Sequence, residues 1–383
     1  MKRFPKLANP FPLVGYNGPH YFCDRKKELA ELRAALLNGR NVALIARRRI
    51  GKSSLLEHMK YSLEAMRPAW KVLYIDLIKS STLQDLFKLL AAELVKQRKK
   101  GFLAKFSELE VMSRLKMTIS LNPMTQLPDL SFQLRESQTT QSLSALLDWI
   151  ASEKNVLIIM DEFQQVLNYP EKNAEGYLRS EMMRLPNVRF IFSGSDQRLM
   201  AEMFQSHTRP FFNSTQMMGL EPIDSNDYSQ FIINHFKAYK RTISADAVEY
   251  ILQVSERETY AVQKICNSAF ASGVAFITLP IVKDIFVKVL LEQQGYYENV
   301  RTLLRPSSVQ FQLLRAMATE RILEEPTGKD FMSRNSFTNS SSILKALKAL
   351  ETTGLISRVV VPGKGHGYYI NDALFKSWLN TLP

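Results

Sequence analysis

Four short stretches of the chain are almost wholly apolar: residues 41–45 (NVALI), 72–77 (VLYIDL), 156–160 (VLIIM) and 188–192 (VRFIF). None alternates strictly between apolar and polar, so each predicts a strand covered on both faces, as in a parallel sheet sandwiched by helices. After the first, Leu55, Leu56, Met59 and Leu63 recur at helical spacing, which predicts strand, loop, helix. Residues 80–150 read as a long crossover: a helix near 82–97, a hairpin excursion near 115–135, and a helix over 142–153. The hairpin rests on alternating segments at 116–121 and 130–134, with Asn122, Pro123 and Pro128 between them.

Beyond residue 215 the periodicity becomes helical. Asp224 or Ser225 and Ser244 suit helix N-caps, and Pro280 suits a first turn. Three further helical patterns, at 308–319, 328–336 and 339–353, precede an apolar run at 355–361, a turn at 362–365 and a second run at 367–370. Three helices and a hairpin predict a winged helix-turn-helix. The expected fold class is therefore an α/β core with a parallel sheet in three α/β/α layers (1–215), an α-helical unit (216–300) and a C-terminal winged helix (301–383); the motifs these segments carry extend this to a P-loop NTPase core and an α-helical lid.

Composition adds exclusions. With 383 residues, 45% hydrophobic and 23% charged, the chain builds its own core in two to three folding units, and collagen-like or disordered chains are ruled out. Apolar runs stop short of the roughly 18–20 residues of a membrane span, and three prolines break the N-terminal residues that a secretory signal would need. A cytoplasmic protein without membrane partners is expected. Cys23 and Cys266 are too few for a disulfide framework or a four-ligand zinc site; both are expected as buried apolar side chains. The net charge of +13 divides as +12 over 1–110, −1 over 111–215, −3 over 216–300 and +5 over 301–383. Basic ends suit polyanions, either nucleotide phosphates or nucleic acid. A merely soluble basic surface fits the same numbers.

The sharpest chemical signal is Ala46-Arg47-Arg48-Arg49-Ile50-Gly51-Lys52-Ser53, followed by Ser54, between predicted strand and helix. It matches the G-x-x-x-x-G-K-[ST] phosphate loop at its last three positions and puts alanine at the first. Backbone N–H groups at a helix N-terminus would wrap phosphates. Lys52 would reach the β- and γ-phosphates of ATP, and the Ser53 hydroxyl would ligate Mg²⁺. A basic loop ahead of an ordinary helix is the competing reading.

The third apolar run ends in Asp161-Glu162. An apolar strand closing on paired carboxylates suits a Walker B motif, with Asp161 on the metal and Glu162 as the base for water; a plain helix start is the alternative. After the fourth run, Ser193 is a candidate for the γ-phosphate or the lytic water, while Ser195 or Asp196 better suits a helix cap.

Together these motifs resemble the archaeal-type AAA+ ATPases, specifically their STAND branch. Phe22 through Leu29 is similar to that family's F-x-G-R-x-x-E-L box, with Asp24 in place of the glycine, and the resemblance implies that Phe22 and Arg25 lie near the adenine. Asn9-Pro10-Phe11 looks like the family's leader. Arg209-Pro210-Phe211-Phe212 and Leu220 through Ile223 resemble the core–lid junction. Thr259-Tyr260 through Gln263, with Cys266-Asn267, resembles the lid helix, and Tyr368 through Phe375 with Trp378-Leu379 the closing wing and helix. In such proteins an arginine like Arg209 can approach the γ-phosphate; packing on Phe211 or pairing with an acid is its alternative. His366 suits either a nucleotide sensor or a solvated turn.

The resemblance implies ATP or ADP and Mg²⁺ as ligands, slow hydrolysis and a switch reporting to the winged helix. A DNA-binding regulator, with Lys345, Lys348, Arg358 and Lys364 as its basic groups, and a scaffold that holds ADP without turnover are the other readings, with a protein partner or self-assembly open. A kinase is disfavoured because no acceptor-substrate motif accompanies the phosphate loop.

Overall fold

Residues 4–96, 117–121, 128–132, 136–361, 363 and 365–383 are described by a computed structural model of the chain. They form two compact units. The first comprises Lys26–Ala46 and Leu55–Leu220; the second comprises the residues through Arg25, the segment Arg47–Ser54 and Glu221–Pro383.

In the first unit, α1 (Lys26–Leu37), β1 (Val42–Ala46), α2 (Lys52–Glu64), β2 (Lys71–Asp76) and α3 (Leu83–Lys96) lead to the β3 (Met117–Leu121) and β4 (Pro128–Phe132) hairpin. α4 (Glu136–Ala151), β5 (Val156–Asp161), α5 (Ala174–Arg184), β6 (Val188–Gly194), α6 (Gln197–Gln205) and β7 (Gln216–Leu220) follow. The sheet order is β2-β5-β6-β1-β7, with every neighbouring pair parallel. All four apolar runs became strands. β5 is buried at every position, as a central strand covered on both faces must be. The fifth strand, β7, carries Gly219 in a short QMMGL segment, a weak strand pattern. It puts residues 216–220 on the edge of the sheet.

Apolar residues of α3, α4 and the strands share one core. Phe211, from the segment read as a junction, is fully buried there, with ring centroids 5.1 Å from Phe192, 5.2 Å from Phe163 and 5.3 Å from Phe204. Aromatic pairs of this kind add about 0.5–1.5 kcal/mol each beyond burial.

The second unit holds α7 (Ser225–Ala238), β8 (Thr242–Ile243), α8 (Ala245–Val254), α9 (Thr259–Ala271), β9 (Phe276–Ile277) and α10 (Leu279–Leu304). α11 (Val309–Ala318), α12 (Lys329–Arg334), α13 (Ser340–Thr352), β10 (Ile356–Val361), β11 (Gly365–Ile370) and α14 (Ala373–Leu379) complete it. Asp224 caps α7 by accepting from the N–H groups of Asn226 and Asp227. β10 and β11 pair antiparallel, and Leu323 and Tyr368 exchange two backbone bonds of 2.7 and 2.9 Å that form an isolated bridge beside the wing. The residues expected as lid and as winged helix share one hydrophobic cluster, and α10 runs through residue 300 without a break. Phe11 lies in that cluster, beneath an exchange in which Asn9 Nδ2 donates to the Asn267 carbonyl and Asn267 Nδ2 to that of Phe11. Cys23 and Cys266 are buried free thiols, and burial pushes Cys23 up to about 12.

Candidate functional site

A parallel sheet places all its strand ends of one polarity on one edge, and ligands of open α/β sheets bind beyond the carboxyl ends. Asp161 is the last residue of β5, Ser193 and Gly194 close β6, and the loop 47–51 leaves β1 covalently at Ala46.

Asp161 is only 3% exposed. Its Oδ1 accepts from the Ser193 hydroxyl at 2.5 Å and from the Glu162 N–H at 3.0 Å, and its Oδ2 accepts from the Tyr74 hydroxyl at 2.6 Å. Ser193 is fully buried with its hydroxyl on Asp161. Tyr74 escaped the sequence reading because it sits inside an apolar strand run; only the register that pairs Asp76 with Asp161 and Tyr74 with Ile159 brings it near.

Glu162 has left-handed backbone angles (φ 54°, ψ 44°), a strained state for a non-glycine residue that surroundings must impose. Its Oε2 accepts from Ser195 Oγ at 2.7 Å and from Gln164 Nε2 at 2.6 Å. Gly194 beside it is tightly approached: a Cβ there would lie 2.4 Å from Gln164 Oε1 and 2.5 Å from Met200 Cγ. Asp196, not a serine, caps α6 by accepting from the Leu199 N–H at 2.9 Å.

The phosphate-loop candidate turns at Arg49 (φ 61°) and Gly51 (φ 93°). Left-handed residues interleaved with right-handed ones turn successive amides toward a common concavity suited to anions. Lys52, at the first turn of α2, is 6% exposed, and Ser53 is exposed. The loop's arginine side chains are held within the second unit. The Arg47 guanidinium lies 3.8 Å from the Tyr369 ring centroid, Arg48 approaches Gly354, and Arg49 NH1 lies 2.5 Å from Asp372 Oδ2. Arg47, Arg48, Ile50, Glu258 and Ala373 border a cavity of about 10 Å³, room for about one water. Glu258 is buried there, and desolvation lifts its carboxyl to about 8 despite the Ala373 N–H it accepts and the nearby Arg49 and Arg47.

Two of the expected residues have specific partners in this structure. Arg25, expected near a base, donates to the Glu221 carbonyl at 2.5 Å and the Ile50 carbonyl at 3.1 Å, so its buried charge is satisfied by backbone and steadies the loop. Arg209 pairs with Glu175 at 3.3 Å and Glu202 at 2.5 Å, the acid pairing that competes with a catalytic task. Phe22 meets Tyr16 edge-on at 6.2 Å. His366 is exposed in β11 opposite Val360, one residue into the strand rather than in the turn. Lys345 and Lys348 are exposed on α13, Arg358 pairs with Glu351 at 3.2 Å, and Lys364 lies outside the described residues.

Among the described residues, no group of three or more His, Cys, Asp or Glu side chains is arranged to hold a metal ion, and no helix is long and apolar enough to cross a membrane.

A family model described as an AAA domain matches residues 37–199, and one described as "Probable winged helix domain" matches 295–381. No curated protein matches the sequence. Among solved structures, the chain is similar to a Walker-type ATPase of Pyrococcus abyssi (18% identity, TM-score 0.67, covering 97% of this chain and 99% of that one). It is also similar to the Aeropyrum pernix ORC2 protein in its ADPNP–ADP complexes (17%, 0.57, 93% and 91%). The Aeropyrum pernix ORC1 protein in complex with DNA is a third (13%, 0.52, 97% and 96%). At these identities the likeness is one of fold.

Proposed function

We propose that the chain, which matches an AAA domain over residues 37–199 and a winged helix domain over 295–381, is an archaeal-type AAA+ P-loop protein that binds ATP with Mg²⁺, hydrolyses it slowly and works as a nucleotide-gated switch. The observation that carries this reading is the buried Asp161, hydrogen-bonded by Ser193 and Tyr74 and followed by a strained Glu162 at the carboxyl end of β5. The division into core, lid and winged helix, and the placing in the STAND branch, belong to the same proposal.

In it, the amides around Gly51 and the ammonium of Lys52 hold the β- and γ-phosphates. Glu162 takes the proton of the attacking water, and Ser195 and Gln164 orient its carboxylate. Ser193 and Tyr74 hold the Asp161 carboxylate aligned. A magnesium ion would be held by Ser53, by Asp161 through water and by phosphate oxygens, and would neutralise charge on the phosphates. Mg²⁺ keeps several of its waters and needs only one or two protein carboxylates beside the phosphates.

The deciding experiment is mass analysis of ligand released from purified protein, paired with a phosphate-release assay. Slow turnover that stops on chelation supports the switch. Retained ADP without turnover would replace it with a locked scaffold.

The exposed Lys345 and Lys348 on α13 favour a second reading, DNA binding through the winged helix. Its affinity should fall steeply with salt; a titration with no binding at low salt would discard it.

A further inference from the structure

Arg49 holds a left-handed backbone at φ 61°, in a loop that has alanine where a phosphate loop has its first glycine. Such a conformation persists in a non-glycine residue only where its surroundings over-determine it. Here four contacts do so. Arg49 NH1 lies 2.5 Å from Asp372 Oδ2 and 4.0 Å from Glu258 Oε1. Its guanidinium carbon sits 5.0 Å from the Tyr260 ring centroid, and its carbonyl accepts the Tyr260 N–H at 3.3 Å.

The two acids divide their oxygens. Asp372 uses Oδ1 to cap α14, accepting from Leu374 and Phe375 at 2.9 and 3.0 Å, and offers Oδ2 to Arg49. Glu258 uses Oε2 to accept the Ala373 N–H at 2.9 Å and turns Oε1 toward Arg49. The start of α14 is thereby tied to the strained residue of the loop directly through Asp372, while Glu258, the residue that precedes α9, fastens Ala373.

We propose that Asp372 is a positioning residue for the phosphate loop, holding Arg49 in the left-handed turn, so that seating of the winged-helix end on the loop sets nucleotide affinity. This rests on the nucleotide reading above. A partner that draws the start of α14 away from Arg49 lowers affinity, and by linkage bound nucleotide strengthens the seating.

The test is a double-mutant cycle read by titration with a fluorescent ADP analogue and Mg²⁺. Asp372→Asn keeps a good N-cap and removes only the charge facing Arg49. It should weaken binding about tenfold, within the usual range of coupling. Arg49→Gln, which leaves Asp372 untouched, should weaken it similarly. Arg49→Gly accepts φ 61° without help, so adding Asp372→Asn to it should change nothing. Wild-type-like binding by both Asp372→Asn and Arg49→Gln overturns the proposal, as does an Asp372→Asn effect that survives intact in the Arg49→Gly background. A wild-type chain that fails to bind the analogue removes the nucleotide reading and this one together.

Discussion

The Ser193 hydroxyl donates to the Asp161 carboxylate at 2.5 Å, with both groups shut away from solvent. A hydrogen bond to a charged group is worth about 1.5–3 kcal/mol. Ser193→Ala is expected to lower unfolding free energy by that amount in urea titrations and to slow phosphate release. Tyr74→Phe, which removes the bond at 2.6 Å to the other oxygen, should do the same, and the two losses should be non-additive because they share one carboxylate.

Lys52 and Glu162 separate binding from chemistry. Lys52→Ala should abolish nucleotide binding in a direct titration. Glu162→Gln should still bind ATP and release phosphate about a hundredfold more slowly or worse, the usual cost of losing a general base. Turnover at the wild-type rate in either variant would overturn the assigned role.

Gly194 is needed for space. A methyl group there would meet Gln164 and the buried Met200, so Gly194→Ala should cost about 1–3 kcal/mol, the range for overpacking. A thermal melt indistinguishable from wild type would show that the two side chains yield freely.

Glu258 gives a pH signature. Its carboxyl is raised from an ordinary 4.5 to about 8, chiefly by burial. Between those values the folded chain keeps a proton that the unfolded chain has lost, so stability declines as pH rises from about 4.5 to 8 and levels off above. Chemical denaturation across that window should show the slope, and Glu258→Gln should flatten it.

Much of the fold was legible because its signals are local. The four apolar runs of the sheet, the Asp224 cap and the hairpin of the wing depend on residues a few positions apart, and each formed where the pattern predicts. The strand β7 was not legible: its QMMGL segment is a strand because β1 offers it an open edge, and an edge offered by a distant segment leaves no trace in five residues. Likewise the lid and wing patterns were readable as separate helices, but not the one core they share.

The sequence by itself determined the chemistry available: a Gly-Lys-Ser loop after a strand, paired acids after another, and a basic, winged-helix-like end, all read from short-range spacing. Tertiary structure alone decided what each charge faces. Arg25 went to backbone carbonyls, Arg209 to two acids, and Arg49 to an aspartate 323 residues away. A buried ion must find its partner in three dimensions or be neutralised, and which partner arrives is set by the packing of whole elements.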